Sequence, residues 1–371
     1  MDDQQNAKEG KTFVTDQLRA LWQVIAIPLA AVLLALVIGA IILAVSGANP
    51  LKAYSALIEG SFGSIKAFGR TLAKATPLIF SGLAVAFAFK AGLFNIGAQG
   101  QLLFGALASA AAGFLITGLP PFIHATLSLL IGAVAGALFA AIPGALKAYT
   151  GAHEVITTIM LNYVAINITD YFADGPLKDT SNGNIIARTP EILESAKIPS
   201  VGEIPTGFFL AVLAAAAVWW LLQRTTLGYE IRTVGLSPYA AKYAGMRVAF
   251  TVTLTMVLSG FLAGIGGGIE TLGIVGRYQP GFNTGLGFDG ITIALLGKTH
   301  PFGIIPAAIL IGAMKAGAST MQFNAGVAKE ITDVIQALML FFVTADMIVR
   351  KLIRSKAEGG EGVTLSGWGQ Q

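Results

Sequence analysis

Cysteine is absent from the 371 residues, and charged residues make up only 12% of the chain. Without cysteine the chain has no disulfides and no thiolate chemistry, although this says little about its compartment. Soluble globular chains are about 25% charged, so the low charge argues against that class. The sequence also lacks a G-x-x-x-x-G-K-[ST] phosphate loop and an H-E-x-x-H zinc motif. We therefore expect no ATP chemistry, no metal site and no enzyme activity in this chain.

Hydrophobic residues, by contrast, make up 54% of the chain, and the mean hydropathy is +0.72. Many windows of about 20 mostly apolar residues are long enough to span the ~30 Å hydrocarbon core of a bilayer. A spanning segment must satisfy its own backbone hydrogen bonds, which favours helices. The 45 glycines fit this class, since small residues let membrane helices pack closely. The sequence predicts an all-α, polytopic membrane protein.

The hydropathy pattern predicts about ten transmembrane segments, with short or broken helices among them. The first follows a polar stretch without a small-residue cleavage site, so we expect an uncleaved span. The eighth is too short to cross a bilayer. An amphipathic connector at 49–70 and a glycine-rich, non-helical link at 277–287 interrupt the series. The segments are 24–45, 71–89, 94–116, 122–146, 154–171, 206–222, 249–269, 288–297, 302–321 and 329–349.

Ten segments place both termini on one side of the membrane. With the N-terminus inside, 14 of the 24 Lys and Arg residues lie on the cytoplasmic side, as the positive-inside rule requires. We expect a cytoplasmic N-terminal segment (1–23), a permease domain (24–349) and a cytoplasmic tail (350–371). Within the domain, the polar loop 174–205 is predicted to be external and region 224–248 cytoplasmic.

The polar stretch 227–245 separates two long apolar segments and bears helix-capping residues. Ser237 is a good N-cap, Pro238 suits the first helical position, and Gly245 suits the position after the C-cap. The stretch predicts a short surface helix over 238–244. Capping alone leaves two readings open, a docking surface for a soluble partner and an ordinary loop.

Polar residues inside apolar segments are candidates for a substrate pathway, because an unpaired polar group in hydrocarbon is unfavourable. Asn95 and Gln99 are four residues apart and are predicted to share a helical face from which Gln101 is absent. Thr158 and Asn162 are likewise four apart. The alternative for these residues is hydrogen bonding between helices.

Three further residues are candidates with structural alternatives. Tyr163 could stack on a base or serve only in packing, and Asp289 could contact substrate or cap a helix. Lys315 is expected to pair with a carboxylate such as Asp289 or Glu270. FNIG at 94–97 and FDGI at 288–291 are weakly similar, since each places a polar residue near a glycine at the start of an apolar run. Paired segments of this kind are found at the binding regions of transporters.

Several long stretches resemble the permease subunits of bacterial ABC importers for branched-chain amino acids, ribose-type sugars and nucleosides. The TPL-x₃-GLA-x₆-F[KR]-x-GLFNIGA[EQ]GQ pattern and TIMLNY resemble the nucleoside branch most. Gln99 stands where Glu is more frequent in that family, and Ser237 where Asn is frequent. The carrying segments are ATPLIFSGLAVAFAFKAGLFNIGAQGQ, HEVITTIMLNYVA, LGYEIRTVGLSPYAAKYAG and GFDGITIALLGKTHPFG.

The resemblance implies a multi-pass permease of the bacterial cytoplasmic membrane that forms half of a pore for nucleoside uptake. It implies three protein partners, namely a second homologous permease subunit, a cytoplasmic ABC ATPase that holds ATP and Mg, and an extracytoplasmic substrate-binding lipoprotein. The short helix at 238–244 would then be the coupling helix that contacts the ATPase. The coupling residues implied are Arg232, Gly235, Ser237, Pro238, Lys242 and Gly245.

Three functions compete at this point. Within the ABC importer class, simple sugars, flavin-like ligands and branched-chain amino acids are alternatives to nucleosides. An ion-coupled secondary transporter usually needs acids within the membrane, and here Glu270 and Asp289 lie near segment ends. A membrane-embedded enzyme finds no support, since the sequence has no paired intramembrane aspartates.

Overall fold

A computed structural model describes residue 26 and residues 28–281 and 285–345 of the chain. The predicted N-terminal segment 1–23 and tail 350–371 lie outside these residues. Within the described part, regular structure is helical apart from one antiparallel hairpin of β1 (Ser200–Val201) and β2 (Ile204–Pro205), in which Val201 pairs with Ile204. The expectation of an all-α, polytopic membrane protein is confirmed.

Thirteen α-helices are described. Helix α5 continues into a π-helical turn at Leu146–Thr150, and α10 continues into another at Thr271–Val275. The helices are α1 (Pro28–Val45), α2 (Pro50–Phe62), α3 (Ile65–Lys90), α4 (Ala98–Leu115), α5 (Pro121–Ala145), α6 (Glu154–Asp174), α7 (Thr206–Arg224), α8 (Thr226–Leu236), α9 (Pro238–Tyr243), α10 (Val248–Glu270), α11 (Leu286–Leu296), α12 (Pro301–Ala325) and α13 (Glu330–Thr344).

Each of the ten predicted segments contains a helix, but ten membrane crossings are not established. Among the described residues, seven helices are long and apolar enough to cross a bilayer. The other three segments correspond to α6, which has 21 residues and many polar side chains, to α11 with 11 residues, and to α13 with 15. The prediction that the eighth segment is short is confirmed by α11.

The core is built around α3, which packs against α2, α7, α10, α11 and α12. Every residue of α3 from Leu78 to Ala88 is buried. A second group, α4, α5 and α10, packs through glycines. A Cβ added at Gly105 would lie 2.5 Å from the backbone of Gly264. Because no side chain separates these helices, their backbones approach closely and form a tight unit.

Two polar loops pack on the ends of this bundle. At one end, a Cβ at Gly235 would lie 2.2 Å from the carbonyl oxygen of Lys90, so the polar stretch 227–245 rests on the end of α3. At the other end, the loop 174–205 covers α4 and α10. Leu193 N donates to Gly113 O at 2.9 Å, and Ile198 N donates to Leu272 O at 3.0 Å.

Two local predictions need correction, the start of α3 and the absence of a helix before Ser237. The connector 49–70 is helical, because Asn49 caps α2 and Ser64 caps α3, which starts six residues earlier than expected. The stretch 227–236, for which no helix was predicted, forms α8. Its two internal glycines weaken the helix propensity, but Thr225 accepts a bond from Gly228 N and the fully buried side chains of Ile231 and Val234 anchor it.

Candidate functional site

A buried amide pair joins the turn before α4 to the first turn of α4. Asn95 Nδ2 donates to Gln101 Oε1 at 2.8 Å, and Gln101 Nε2 donates back to Asn95 Oδ1 at 3.0 Å. Asn95 Nδ2 also donates to Ser259 Oγ on α10 at 2.8 Å, and that hydroxyl donates to Ala84 O on α3 at 2.6 Å. A single chain of hydrogen bonds therefore joins the turn to α3, α4 and α10.

Asn162 on α6 hydrogen-bonds to the backbone of the same region from the opposite side. Its Oδ1 accepts from Gly100 N at 2.8 Å, and its Nδ2 donates to Ile96 O at 3.0 Å. The side chain is only 3% exposed. Thr158, one turn earlier and fully buried, donates to Glu154 O in its own helix at 2.7 Å. Three of the predicted pathway residues, Asn95, Thr158 and Asn162, thus lie together. Asn162 satisfies backbone groups that the broken start of α4 leaves free.

Gln99 connects this cluster to α11. Its Oε1 accepts from Gly287 N at 2.7 Å, and a Cβ at Gly287 would lie 2.3 Å from the Gln99 backbone. Only glycine fits at position 287 with this approach. This hydrogen bond joins residues 188 apart, one two positions after FNIG and one directly before FDGI, so the chain brings the ends of the two similar stretches near each other.

The prediction that Asn95 and Gln99 share a helical face is wrong. Helix α4 begins at Ala98, so Asn95 precedes it. Gln101, placed off the face by the helical reading, is the partner of Asn95. The prediction was wrong because it started the helix at Phe94, whereas the glycine at position 97 favours a turn there. Ser259 was missed because a serine in an apolar segment gives no signal of its partner.

Asp289 lies in the first turn of α11 and pairs with Lys315 on α12, as expected for one of the two carboxylates considered. The Asp289 Oδ2 to Lys315 Nζ distance is 3.0 Å, and both side chains keep some exposure, at 12% and 26%. Gln336 Nε2 on α13 also donates to Asp289 Oδ1. The ion pair joins α11 to α12, and the hydrogen bond from Gln336 joins α13 to both. Glu270 lies instead near Lys74, at 3.9 Å.

Tyr163 lies apart from the amide cluster, although it follows Asn162 directly. Its side chain is 62% exposed on the opposite face of α6. The structure therefore separates the predicted pathway residues into a hydrogen-bonded interior group and one exposed aromatic residue.

The predicted coupling helix is present as α9, with the predicted caps. Ser237 Oγ accepts from Ala240 N at 3.2 Å, Pro238 is the first residue, and Gly245 has φ +81°. Ala244, predicted as the last helical residue, is the C-cap. Gly245 N and Met246 N donate to Lys242 O and Ala241 O, each at 3.0 Å, which satisfies carbonyls that the helix end leaves free.

The other predicted coupling residues divide into supporting and exposed positions. Gly235 allows α8 to touch the end of α3, and Arg232 donates to Gly228 O and to Gln223 Oε1 within the chain. Lys242 is exposed. Sequence reasoning missed its apolar neighbours, since Leu236 is 81% exposed, Tyr239 64% and Tyr243 94%. A cation among exposed aromatic and aliphatic side chains is a surface typical of protein contacts.

Metal-binding clusters of three or more His, Asp or Glu side chains do not occur in the described part of the chain. His124 contacts Ser195 Oγ at 2.8 Å and Ala112 O at 3.2 Å, which is a structural role. A cavity of about 500 Å³ opens beside the loop 174–205, where Asp179, Arg188 and Arg277 line it. None of the predicted pathway residues lines this cavity.

Comparison with known proteins gives a family match over most of the chain. Residues 67–344 match the family described as branched-chain amino acid transport system / permease component. The guanosine ABC transporter permease protein NupP of Bacillus subtilis is 41% identical over 87% of this chain and 94% of its own length. The glucose ABC transporter permease protein TsgB13 of Haloferax volcanii is 33% identical over 89% of this chain and 90% of its own. A second Bacillus subtilis protein, the guanosine ABC transporter permease protein NupQ, is 27% identical over 65% of this chain and 78% of its own length.

Proposed function

We propose that this chain, which belongs to the family of branched-chain amino acid transport system permease components, imports nucleosides as one of two permease subunits of an ABC importer. The observation that carries the nucleoside assignment is the 41% identity to a protein named for guanosine, against 33% to one named for glucose. The TIMLNY and NIGAQGQ motifs support the same branch. The subunit is an integral membrane protein, and we place it in the bacterial cytoplasmic membrane with both termini inside.

The partner subunit is a distinct homologous permease in this proposal. Two permease proteins of one Bacillus subtilis strain carry the guanosine name, and both are similar to this chain. A pore between two related subunits fits that pairing. ATP and Mg belong to a separate cytoplasmic ATPase, and a substrate-binding lipoprotein delivers nucleoside at the outer end, where the loop 174–205 lies.

The helix α9 is the proposed coupling helix, and it contacts the ATPase. Ser237, Pro238 and Gly245 fix its length and caps, while Gly235 and Arg232 hold α8, which supports it. Lys242 and the exposed Tyr239 and Tyr243 form the contact surface. Because Ala241 is fully buried in the main core, movement of α9 is transmitted directly to the helices packed on α3.

The predicted pathway residues take different parts in this proposal. Tyr163 faces the pore. Asn95, Gln99, Thr158 and Asn162 frame the pore wall behind it, since their polar groups are occupied by bonds within the chain. Asp289 lies beside this frame and fixes α11 against α12.

Nucleoside uptake by cells provides the test. A strain lacking its own nucleoside uptake would express the complete transporter with or without this chain, and uptake of labelled guanosine would be measured. We expect uptake only when the chain is present, and competition by unlabelled nucleosides but not by glucose, riboflavin or leucine. Competition by one of those ligands instead would reassign the substrate. Uptake by this chain alone, driven by an ion gradient in liposomes without ATP, would favour a secondary transporter.

A further inference from the structure

The two faces of α6 have opposite characters. Its inner face carries Thr158, Asn162, Ala165, Thr169 and Ala173, all buried against the rest of the chain. Its outer face carries exposed side chains one turn apart, because residues spaced by three or four positions share a helical face. These are Ile156, Met160, Tyr163, Asn167 and Tyr171, and Val164, Ile168 and Phe172 beside them are exposed as well.

The outer face of α6 carries a tyrosine and an amide near the middle of the helix, among exposed apolar side chains. The helix has 21 residues, so it is about 30 Å long at 1.5 Å per residue. Tyr163 is its tenth residue and Asn167 its fourteenth, which places both in the middle third. With α6 crossing the membrane, as the ten-segment prediction has it, an amide exposed to lipid in the middle of the helix is unfavourable, because hydrocarbon offers it no hydrogen-bond partner.

The exposed face of α5 shows what a lipid-facing surface of this protein looks like. From position 127 to position 142 every exposed side chain of α5 is apolar, as at Leu130, Val134 and Leu138. The middle of α7 follows the same rule, with Phe209, Leu213 and Trp220 exposed. The outer face of α6 differs from both by its amide and two tyrosines, so lipid is the wrong environment for it.

The exposed groups on α6 match the chemistry of a nucleobase. Asn167 Nδ2 donates to Tyr163 O at 2.7 Å, which fixes the amide and directs its Oδ1 away from the helix as an acceptor. A base presents a flat π-face that stacks on an aromatic ring, and an exocyclic amine that donates to an amide oxygen. The tyrosines flank Asn167 by one helical turn on each side.

We infer that the outer face of α6 is a water-accessible track on which the base of the passing nucleoside stacks against Tyr163 and Tyr171 and donates to Asn167. This rests on the proposed nucleoside transport and assigns the contact to specific side chains. Base stacking tolerates different bases, so the track accepts both purine and pyrimidine nucleosides.

Single cysteines test water access, and the native chain has none to remove. Tyr163→Cys and Asn167→Cys would be compared with Val134→Cys and Leu138→Cys in the complete transporter, using a charged, membrane-impermeant thiol reagent. Both α6 cysteines are expected to react, and both α5 cysteines to stay unmodified. Guanosine with the binding protein and ATP should slow the α6 reaction several-fold, while glucose should not.

Transport by alanine variants tests the contact itself. Tyr163→Ala and Asn167→Ala are expected to reduce guanosine uptake about fivefold or more at unchanged membrane expression, whereas Tyr163→Phe keeps the ring and Leu138→Ala changes the lipid face only. Tyr163→Phe should retain more uptake than Tyr163→Ala, and Leu138→Ala, the control, should transport normally.

Two results would overturn the inference while leaving the proposed function intact. Unreactive cysteines at both α6 positions would show that this face is buried against protein. Reactive cysteines without protection by guanosine, in a transporter that does import guanosine, would show water access without base contact. If the wild-type transporter imports no nucleoside, the proposed function fails and the track as a nucleobase site fails with it.

Discussion

The amide of Asn162 shows how a polar side chain in a membrane helix can serve structure and not substrate. Both of its functional atoms bond to backbone groups of the turn that precedes α4, at Gly100 N and Ile96 O. These backbone groups have no other partner available in a helix that starts at Ala98. The amide therefore completes the broken helix that the neighbouring glycines create.

Replacing Asn162 with alanine should destabilise the protein by about 1–3 kcal/mol, because two buried backbone groups lose their partners. Asn167→Ala is the matched control, since the same substitution on the outer face of the same helix removes no bond between helices. Thermal unfolding of the purified complex in detergent compares the two. Equal unfolding midpoints for the two variants would contradict this structural role of Asn162.

The Asp289–Lys315 pair gives a second prediction at the residue level. Asp289→Leu leaves Lys315 without its carboxylate near the membrane interior, which costs up to about 3 kcal/mol. We expect lower yield of folded protein in membranes. The exchanged pair, Asp289→Lys with Lys315→Asp, should recover much of the yield. No recovery would mean that contacts with Gln336 or substrate matter more than the charge pair.

Residue identity predicted some of these contacts and missed others. The pairing of Lys315 with Asp289 could be expected, since a cation within a membrane segment needs a carboxylate and few were present. The partners of Asn95, Gln99 and Asn162 could not, because each amide can bond equally well to many groups. Their partners follow from the break at 94–97 and from the approach of α11, which are properties of the tertiary structure.

Among the elements, α9 was predictable from local chemistry because its caps are local. Ser237, Pro238 and Gly245 each act within a few residues of themselves. Its neighbour α8 was not predictable in this way. The sequence 226–236 contains two glycines and β-branched residues, and the helix depends on burial of Ile231 and Val234 against distant segments.

Glycine should be needed at position 245 because of its backbone conformation, and not because a side chain there would clash with a neighbour. Its φ of +81° lies in the left-handed region, and nothing lies within 4 Å of an added Cβ. Gly245→Ala should therefore cost about 1–2 kcal/mol at the helix end and lower ATPase stimulation at normal expression. Gly245→Asn, which tolerates this conformation better, should retain more stimulation than the alanine variant.

Arg232→Gln tests the support of the coupling helix separately from its cap. The substitution removes the guanidinium that contacts Gln223 and Gly228 O but leaves α9 intact. Lower coupled ATPase activity is expected again. Unchanged activity in Arg232→Gln and in Gly245→Ala together would mean that 227–245 is not the coupling region.

The loop 174–205 should respond to acid through Asp179. Hydrogen bonds from Ser181 and the nearby charges of Arg188 and Arg277 hold the pKa of this carboxyl below its ordinary value, which is about 3.9. A lowered folded-state pKa contributes stability that is present above about pH 4 and is lost as pH falls through the folded value. Hydrogen exchange of the Asp179 amide, bonded to Arg188 O at 2.8 Å, should lose protection at that step. Asp179→Asn should abolish this pH-dependent loss of protection.

For the whole molecule, the fold class, the permease family and the ABC importer assignment expected from the sequence are confirmed. The number of crossings is not, because among the described residues seven helices meet the length and hydropathy of a span, whereas α6, α11 and the described part of α13 do not. Length already marked α11 as too short to cross, whereas α6 has 21 residues but too many polar side chains to meet the hydropathy of a span.

The measurement that tests the central claim most directly is ATPase stimulation of the whole complex in nanodiscs. The complex would contain this chain, the second permease, the ATPase and the binding protein, and each of guanosine, glucose, riboflavin and leucine would be added in turn. Stimulation by guanosine and other nucleosides alone is the predicted result. Stimulation by another ligand and not by nucleosides would contradict the substrate, and failure of any ATPase to associate with this chain would contradict its role as the permease of an ABC importer.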